Sequence, residues 1–255
     1  MKAKSVLSVL NYRIVIILIE TVAVYVLYRS FNFKLSIDFT VLSIAIVFPI
    51  VFSITSAYQK RQDALYTFNS FRNKIIELSN IYYSVDGTSN KDYSSLFKSL
   101  MQIQSLVIKH LVNHTKKDIE KIRMSRKDLF FAIDNDKKHY NEREKDSIIR
   151  VKNEVFHSVE KLFSIKHHPT PKSLRIYCLI FIYISPFIYN GQILFINDIN
   201  TRLEDGVSLA ISTLIGFVLM ALYNVQEHIE NPFDQEGMDD LNFDLIKIDA
   251  TEKLD

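Results

Sequence analysis

The chain has no tryptophan, one cysteine, and only five glycines and five prolines in 255 residues. The single Cys178 excludes a disulfide framework, and its place in an apolar run says nothing of the redox compartment. So few glycines and prolines argue against a turn-rich β architecture and for long helices. Net charge is also small, with 31 Lys plus Arg against 29 Asp plus Glu. A balance of +2 does not call for a nucleic-acid partner. No phosphate-binding glycine loop, nucleophile elbow or HExxH helix occurs, so the sequence offers no enzyme site and no enzymatic activity is expected.

What is present is unevenly placed: apolar residues gather toward both ends and charges in the middle. Residues 41–58, VLSIAIVFPIVFSITSAY, pass without one full charge. A bilayer core of ~30 Å takes about 20 residues of helix, so this is a spanning length. It runs with almost no gap into QKRQDALYTFNSFR, which has a polar helical pattern. Ile44, Phe48 and Phe52 recur every fourth residue and form one inclined stripe on a helix. Such a stripe faces lipid or lines a narrow conduit. Pro49 removes a backbone donor, which lipid tolerates only where neighbouring groups satisfy the freed carbonyl.

Three other apolar segments accompany it. Residues 14–28 follow a short basic start with Lys2, Lys4 and Arg13. No small-residue cleavage site follows, and Glu20 interrupts the run, which predicts a retained membrane helix rather than a signal peptide. A carboxylate at mid-span costs roughly 2.5–3.5 kcal/mol on insertion scales, so Glu20 is expected to face protein or water. Residues 174–196 contain Pro186 and Gly191, and residues 207–223 carry no charge. Residues 84–94, 133–143 and 197–206 read as loops by their polar content. The middle shows helical spacing in Leu65, Phe68, Phe71, Ile75 and Leu78, in Leu96, Leu100, Ile103 and Leu106, and in Ile148, Val151, Val155, Val159 and Leu162. Three or four amphipathic helices are expected there.

The predicted architecture is an all-α membrane protein. A first transmembrane hairpin covers residues 1–58, a cytoplasmic helical bundle 59–173, a second hairpin 174–223 and an acidic segment 224–255. Residues 59–172 hold 22 Lys plus Arg against 14 Asp plus Glu. The two short connections carry few basic residues, and Lys60, Arg61, Arg72 and Lys74 follow the second span closely. The positive-inside tendency places the middle and both termini in the cytoplasm of an integral protein of the plasma membrane or bacterial inner membrane.

Four local patterns resemble the bestrophin family of channels. FSITSAYQKRQDA, residues 52–64, resembles the end of the family's second span. Pro169-Thr170-Pro171 resembles the Pro-x-Pro entry to the third, and Ser185-Pro186-Phe187 the Leu-Pro-Phe within it. QEHIENPFDQEGMDDLNFD, residues 226–244, resembles the Asn/Asp-Pro-Phe-Gly and acidic run after the fourth, through Asn231, Pro232 and Phe233. Departures are Arg61 and Gln62 in place of a tryptophan pair, and Asp234 in place of the glycine. The resemblance is to a divergent, perhaps bacterial, member. It implies a homopentamer in the lipid bilayer, with a central pore lined by the second span and a hydrophobic neck at Ile44, Phe48 and Phe52. It implies passive gated conduction of monovalent ions, with chloride favoured and a cation as the other option. A membrane-anchored signalling or scaffold protein without a pore is the rival reading.

Asp234, Glu236, Asp239, Asp240 and Asp244 supply oxygen ligands of the kind calcium takes. In calcium-gated members the resemblance points to Asp239 and Asp240. Gln235, Gly237 and Met238 dilute the run, so a solvated acidic tail is favoured over a Ca2+ site, and no other cofactor is expected. His110 and His114 share the i, i+4 spacing zinc can use but have no third ligand at a recognised spacing. His167 and His168, being adjacent, point apart. The lysines and arginines of the middle alternate with acids and read as a solvated face.

Overall fold

The computed structural model describes residues 11–36, 39–85, 90–113, 116–135, 140–168, 171–196, 202–235 and 240–248. The described chain is helical: α1 Tyr12–Ser30, α2 Phe39–Tyr83, α3 Asn90–Asn113, α4 Lys116–Asn135, α5 Glu142–His167, α6 Lys172–Ile196, α7 Arg202–Glu230 and a short α8 Phe243–Ile246. Capping side chains mark several starts. The Asn11 carboxamide oxygen accepts from the Tyr12 amide, and Asn141 forms a reciprocal capping box with Glu144 that satisfies two amides α5 would leave open. Two of the expected loops are shorter than their composition implied. Helix α3 already begins at Asn90 and α7 at Arg202, because polar and acidic residues such as Glu204 and Asp205 suit the positive end of a helix.

Contacts divide the chain into two compact units: residues 1–60, 169–231 and 236–239, and residues 61–168, 232–235 and 240–255. Helix α2 contributes its first part to one and the remainder to the other. Its buried positions keep one spacing throughout, at Ile46, Ile50, Ser53, Ala57, Ala64, Phe68, Phe71, Ile75, Leu78 and Tyr82. Within each part, steps of three and four residues are the mark of a helix packed along one face.

In the first unit α1, α6 and α7 pack on one another. Ile14, Ile17, Cys178, Ile182, Leu219, Met220 and Tyr223 form a core that α2 joins through Ile46 and Ile50. Small groups permit close approach. A Cβ added at Gly216 would lie 2.9 Å from Thr21 Oγ1, and one at Gly191 would lie 2.7 Å from the Leu35 Cβ. Polar side chains are turned inward: Thr21 and Tyr189 share a hydroxyl hydrogen bond of 2.9 Å, and the Asn190 amide donates to the Thr21 carbonyl. Pro186 lies inside α6 and leaves the Ile182 carbonyl without its helical donor. The Ser185 hydroxyl donates to that carbonyl at 2.8 Å. Large apolar side chains meanwhile face outward, among them Val15, Ile16, Ile19, Val22, Val26, Ile180, Ile184, Ile211, Leu214 and Val218. By length and composition α6 and α7 can cross a membrane.

The second unit is built the opposite way. Twenty-five buried apolar residues from the later part of α2, from α3, α4 and α5 and from the C-terminal segment form one core. Each large member contributes roughly 1.5–3 kcal/mol on burial. Among the described residues of this unit only Tyr66, Tyr83, Met124, Phe130, Phe131 and Leu245 stand out as exposed large apolar groups. Lys74 on α2 meets Glu77 at 2.7 Å and Glu154 of α5 at 2.6 Å. Lys166 of α5 reaches the end of α3 and donates to the carbonyls of His110 and Leu111. The C-terminal segment is held twice over. Gln104 exchanges two hydrogen bonds of 3.0 Å with the backbone of Ile248, and Phe243 packs on Phe68 at 5.2 Å and on Phe233 at 6.4 Å.

Candidate functional site

Ile44, Phe48 and Phe52 lie on the side of α2 opposite Ile46, Ile50 and Ser53, since residues two apart on a helix point about 200° apart. They are 59 %, 59 % and 56 % exposed, whereas Ile50 is 1 % exposed. The three side chains form a continuous ridge, with the Phe48 and Phe52 rings in edge-to-face contact at 4.5 Å. Val47 and Val51 broaden it. At its end Thr55 turns its hydroxyl back to the Val51 carbonyl, so the helix satisfies that hydroxyl itself. The described face offers apolar surface and no charge from Ile44 to Tyr58.

Near the end of α7, Glu230 is buried, and the Arg175 guanidinium of α6 lies 3.1 Å from its carboxylate. Gln226 donates to the same carboxylate at 3.4 Å. Burial pushes the Lys60 ammonium below its usual range, partly offset by Glu230 and reinforced by Arg175. This cluster ties the start of α6 to the end of α7. Sequence reasoning missed this cluster, because Arg175 and Glu230 are 55 positions apart and meet only through the packing of α6 on α7. A second pair, Arg13 and Glu227 at 2.8 Å, ties α1 to α7.

The remaining predicted residues scatter. Asn231 is exposed, while Pro232 and Phe233 are buried, Phe233 fully, as part of the second unit's core. The backbone carbonyl of Pro232 accepts from the Leu241 amide. Gln235 adopts a left-handed φ of 63° and donates its side chain to the Leu241 carbonyl. Glu236 and Asp239 lie outside the described residues, as do Pro169, Thr170 and His114. Asp234 and Asp240 are half-buried, and exposed Asp244 pairs with Lys247 at 2.7 Å. Among the described residues no three His, Cys, Asp or Glu side chains form a group able to hold a metal ion. His110 is buried and its ring stacks on that of His167 at 5.7 Å, a pairing that spacing along the chain does not reveal.

One expectation needs correction. The middle's basic residues are not all a solvated face: Lys152 is 7 % exposed, with its ammonium 4.7 Å from the centre of the Phe130 ring.

No protein-family model and no curated protein matches the sequence. Solved structures do match. A bacterial bestrophin homolog from Klebsiella pneumoniae is similar at a TM-score of 0.74 and 13 % identity, over 92 % of this chain and 93 % of that one. Two single-residue variants of that homolog align at TM-scores of 0.74 and 0.73, with 12 % and 14 % identity and the same coverage of both chains. The helices described above, from α1 through the strapped C-terminal segment, therefore carry the bestrophin fold.

Proposed function

We propose that the chain is one subunit of a passive, gated ion channel, assembled as a pentamer with α2 of each copy facing a shared axis. The observation that carries this reading is the ridge of Ile44, Phe48 and Phe52, left exposed on a helix whose opposite side is packed. Five such ridges form a hydrophobic neck that blocks ions by dewetting and conducts when it widens. In this reading α1 and the start of α2 span the bilayer as a first hairpin and α6 and α7 as a second. The outward apolar residues of the first unit meet lipid, and the charged second unit lies in the cytoplasm with both termini. The neck carries no fixed charge, so it gates more than it selects. Counter-charge for anions comes from helix N-termini aimed at the conduit, which favours chloride over a monovalent cation.

The test is reconstitution of the purified chain in planar bilayers, with reversal potentials read in asymmetric KCl. Phe48→Ala combined with Phe52→Ala is expected to raise the resting conductance, and the detergent-solubilised mass to equal five copies. A monomer or dimer, or a conductance indifferent to both substitutions, overturns the proposal and leaves a membrane-anchored scaffold as the reading.

A further inference from the structure

A pore lined by α2 gives Glu20 of α1 no role. Its side chain is half-buried near the middle of the apolar run 14–28. Among the described residues no hydrogen bond or ion pair engages its carboxylate. The two cations of α1 are committed elsewhere, Arg13 to Glu227 at 2.8 Å and Arg29 to Asp205 at 3.4 Å. A carboxylate at that depth of a membrane is costly without a counter-charge, and such groups mark functional sites.

Another copy of the chain cannot supply that charge at mid-span. Residues 14–28, 41–58, 176–196 and 207–223 contain no Asp, Glu, Lys or Arg except Glu20. The counter-charge therefore comes from outside the protein, and the surroundings of Glu20 say of what kind. Ile16 lies one turn before it on α1 and Leu27 two turns after, both exposed. Tyr183 of α6 is half-buried and near enough for the charge of Glu20 to act on its phenol. Ile180 and Phe187 stand exposed one turn to either side of Tyr183. Tyr189 also feels that charge, but its hydroxyl is taken by Thr21 at 2.9 Å. The carboxylate thus has an aromatic ring beside it and outward apolar side chains along both helices.

Taking α1 as a membrane span, as the proposed channel requires, we propose that Glu20 binds a lipophilic quaternary ammonium that reaches it from the acyl layer. The carboxylate neutralises the cation, and the Tyr183 ring offers the π face that weakly hydrated ammonium groups favour. Ile16, Leu27, Ile180 and Phe187 border the path of the apolar chain. A small inorganic cation loses too much hydration to enter such a surface. An anionic amphiphile meets the like charge of Glu20 and is turned away.

Electron spin resonance on the full chain in phosphatidylcholine vesicles tests this with two nitroxide-labelled probes, octadecyltrimethylammonium and phosphatidylcholine. The fraction of ammonium probe whose motion the protein restricts is expected to exceed that of phosphatidylcholine about threefold, the worth of a cation–π contact or a half-exposed ion pair. Glu20→Gln keeps the shape of the side chain and is expected to bring the two probes level. Tyr183→Leu, the second variant, is expected to keep only part of the excess. Equal restricted fractions for both probes on the parent overturn the inference and leave the channel untouched. So does an excess that both variants retain. If neither probe is restricted, the chain does not border the acyl layer, and the channel and this site fall together.

Discussion

The Ser185 hydroxyl stands 2.8 Å from the Ile182 carbonyl, the very oxygen that Pro186 leaves without a backbone donor. The break in α6 is thus mended from the adjacent position, inside a bundle where no solvent serves that carbonyl. Ser185→Ala should destabilise the protein in detergent by about 1–2 kcal/mol, the range for a buried acceptor left unsatisfied. Adding Pro186→Ala restores the amide and should recover most of the loss. Thermal melts of the single and double variants read the coupling directly, and equal melts for both would mean that the hydroxyl does not serve this carbonyl.

Gln104 holds the C-terminal segment through paired bonds to Ile248, within a buried site. Gln104→Leu keeps the volume and removes both bonds, leaving an amide and a carbonyl buried without partners. The expected outcome is a loss of about 2–4 kcal/mol and cleavage by added protease beyond Phe243 at concentrations the parent resists. Limited proteolysis with mass readout checks it.

The link between Lys74 and Glu154 gives a pH signature. The hydrogen bond from Lys74 holds the Glu154 carboxyl below the usual carboxylate range, and the hydrogen bond to Glu154 holds the Lys74 ammonium above its usual range. A depressed carboxyl contributes stability above its unfolded value and loses it as pH falls through its folded value. A raised ammonium contributes below its unfolded value and loses it as pH rises through its folded one. The link therefore operates across neutral pH and fades at both ends. Lys74→Met should lower the denaturation midpoint by a constant amount between about pH 6 and pH 9, and the difference should close below about pH 4. A gap that persists in acid would assign the effect to packing rather than to charge.

Helical periodicity made much of the fold readable before any coordinates. The recurrences at Phe68, Phe71, Ile75 and Leu78, and at Ile148, Val151, Val155, Val159 and Leu162, are all buried as their spacing requires. At one end of the series Ala64, not Leu65, is the fully buried residue, since the seam on α2 steps back from Phe68 by four. The loops at 84–94 and 197–206 were overdrawn because a helix's first turn and a loop favour the same polar residues. The ridge of Ile44, Phe48 and Phe52 was legible because its register is local. Phe233 on Phe243, His110 on His167 and Lys152 on Phe130 were not, since each pairing is made by tertiary packing and not by register within one helix.

Phe233, Leu241, Phe243 and Ile248 share a core with residues made more than a hundred positions earlier, such as Phe68 and Gln104. A ribosome delivers those last pieces only after α6 and α7 have emerged. The second unit must wait, with a greasy gap beside Phe68, until those residues have been made. A ribosome that stalls or a chain that stops before Phe233 would thus leave that gap open, a ready target for chaperones and for quality-control proteases.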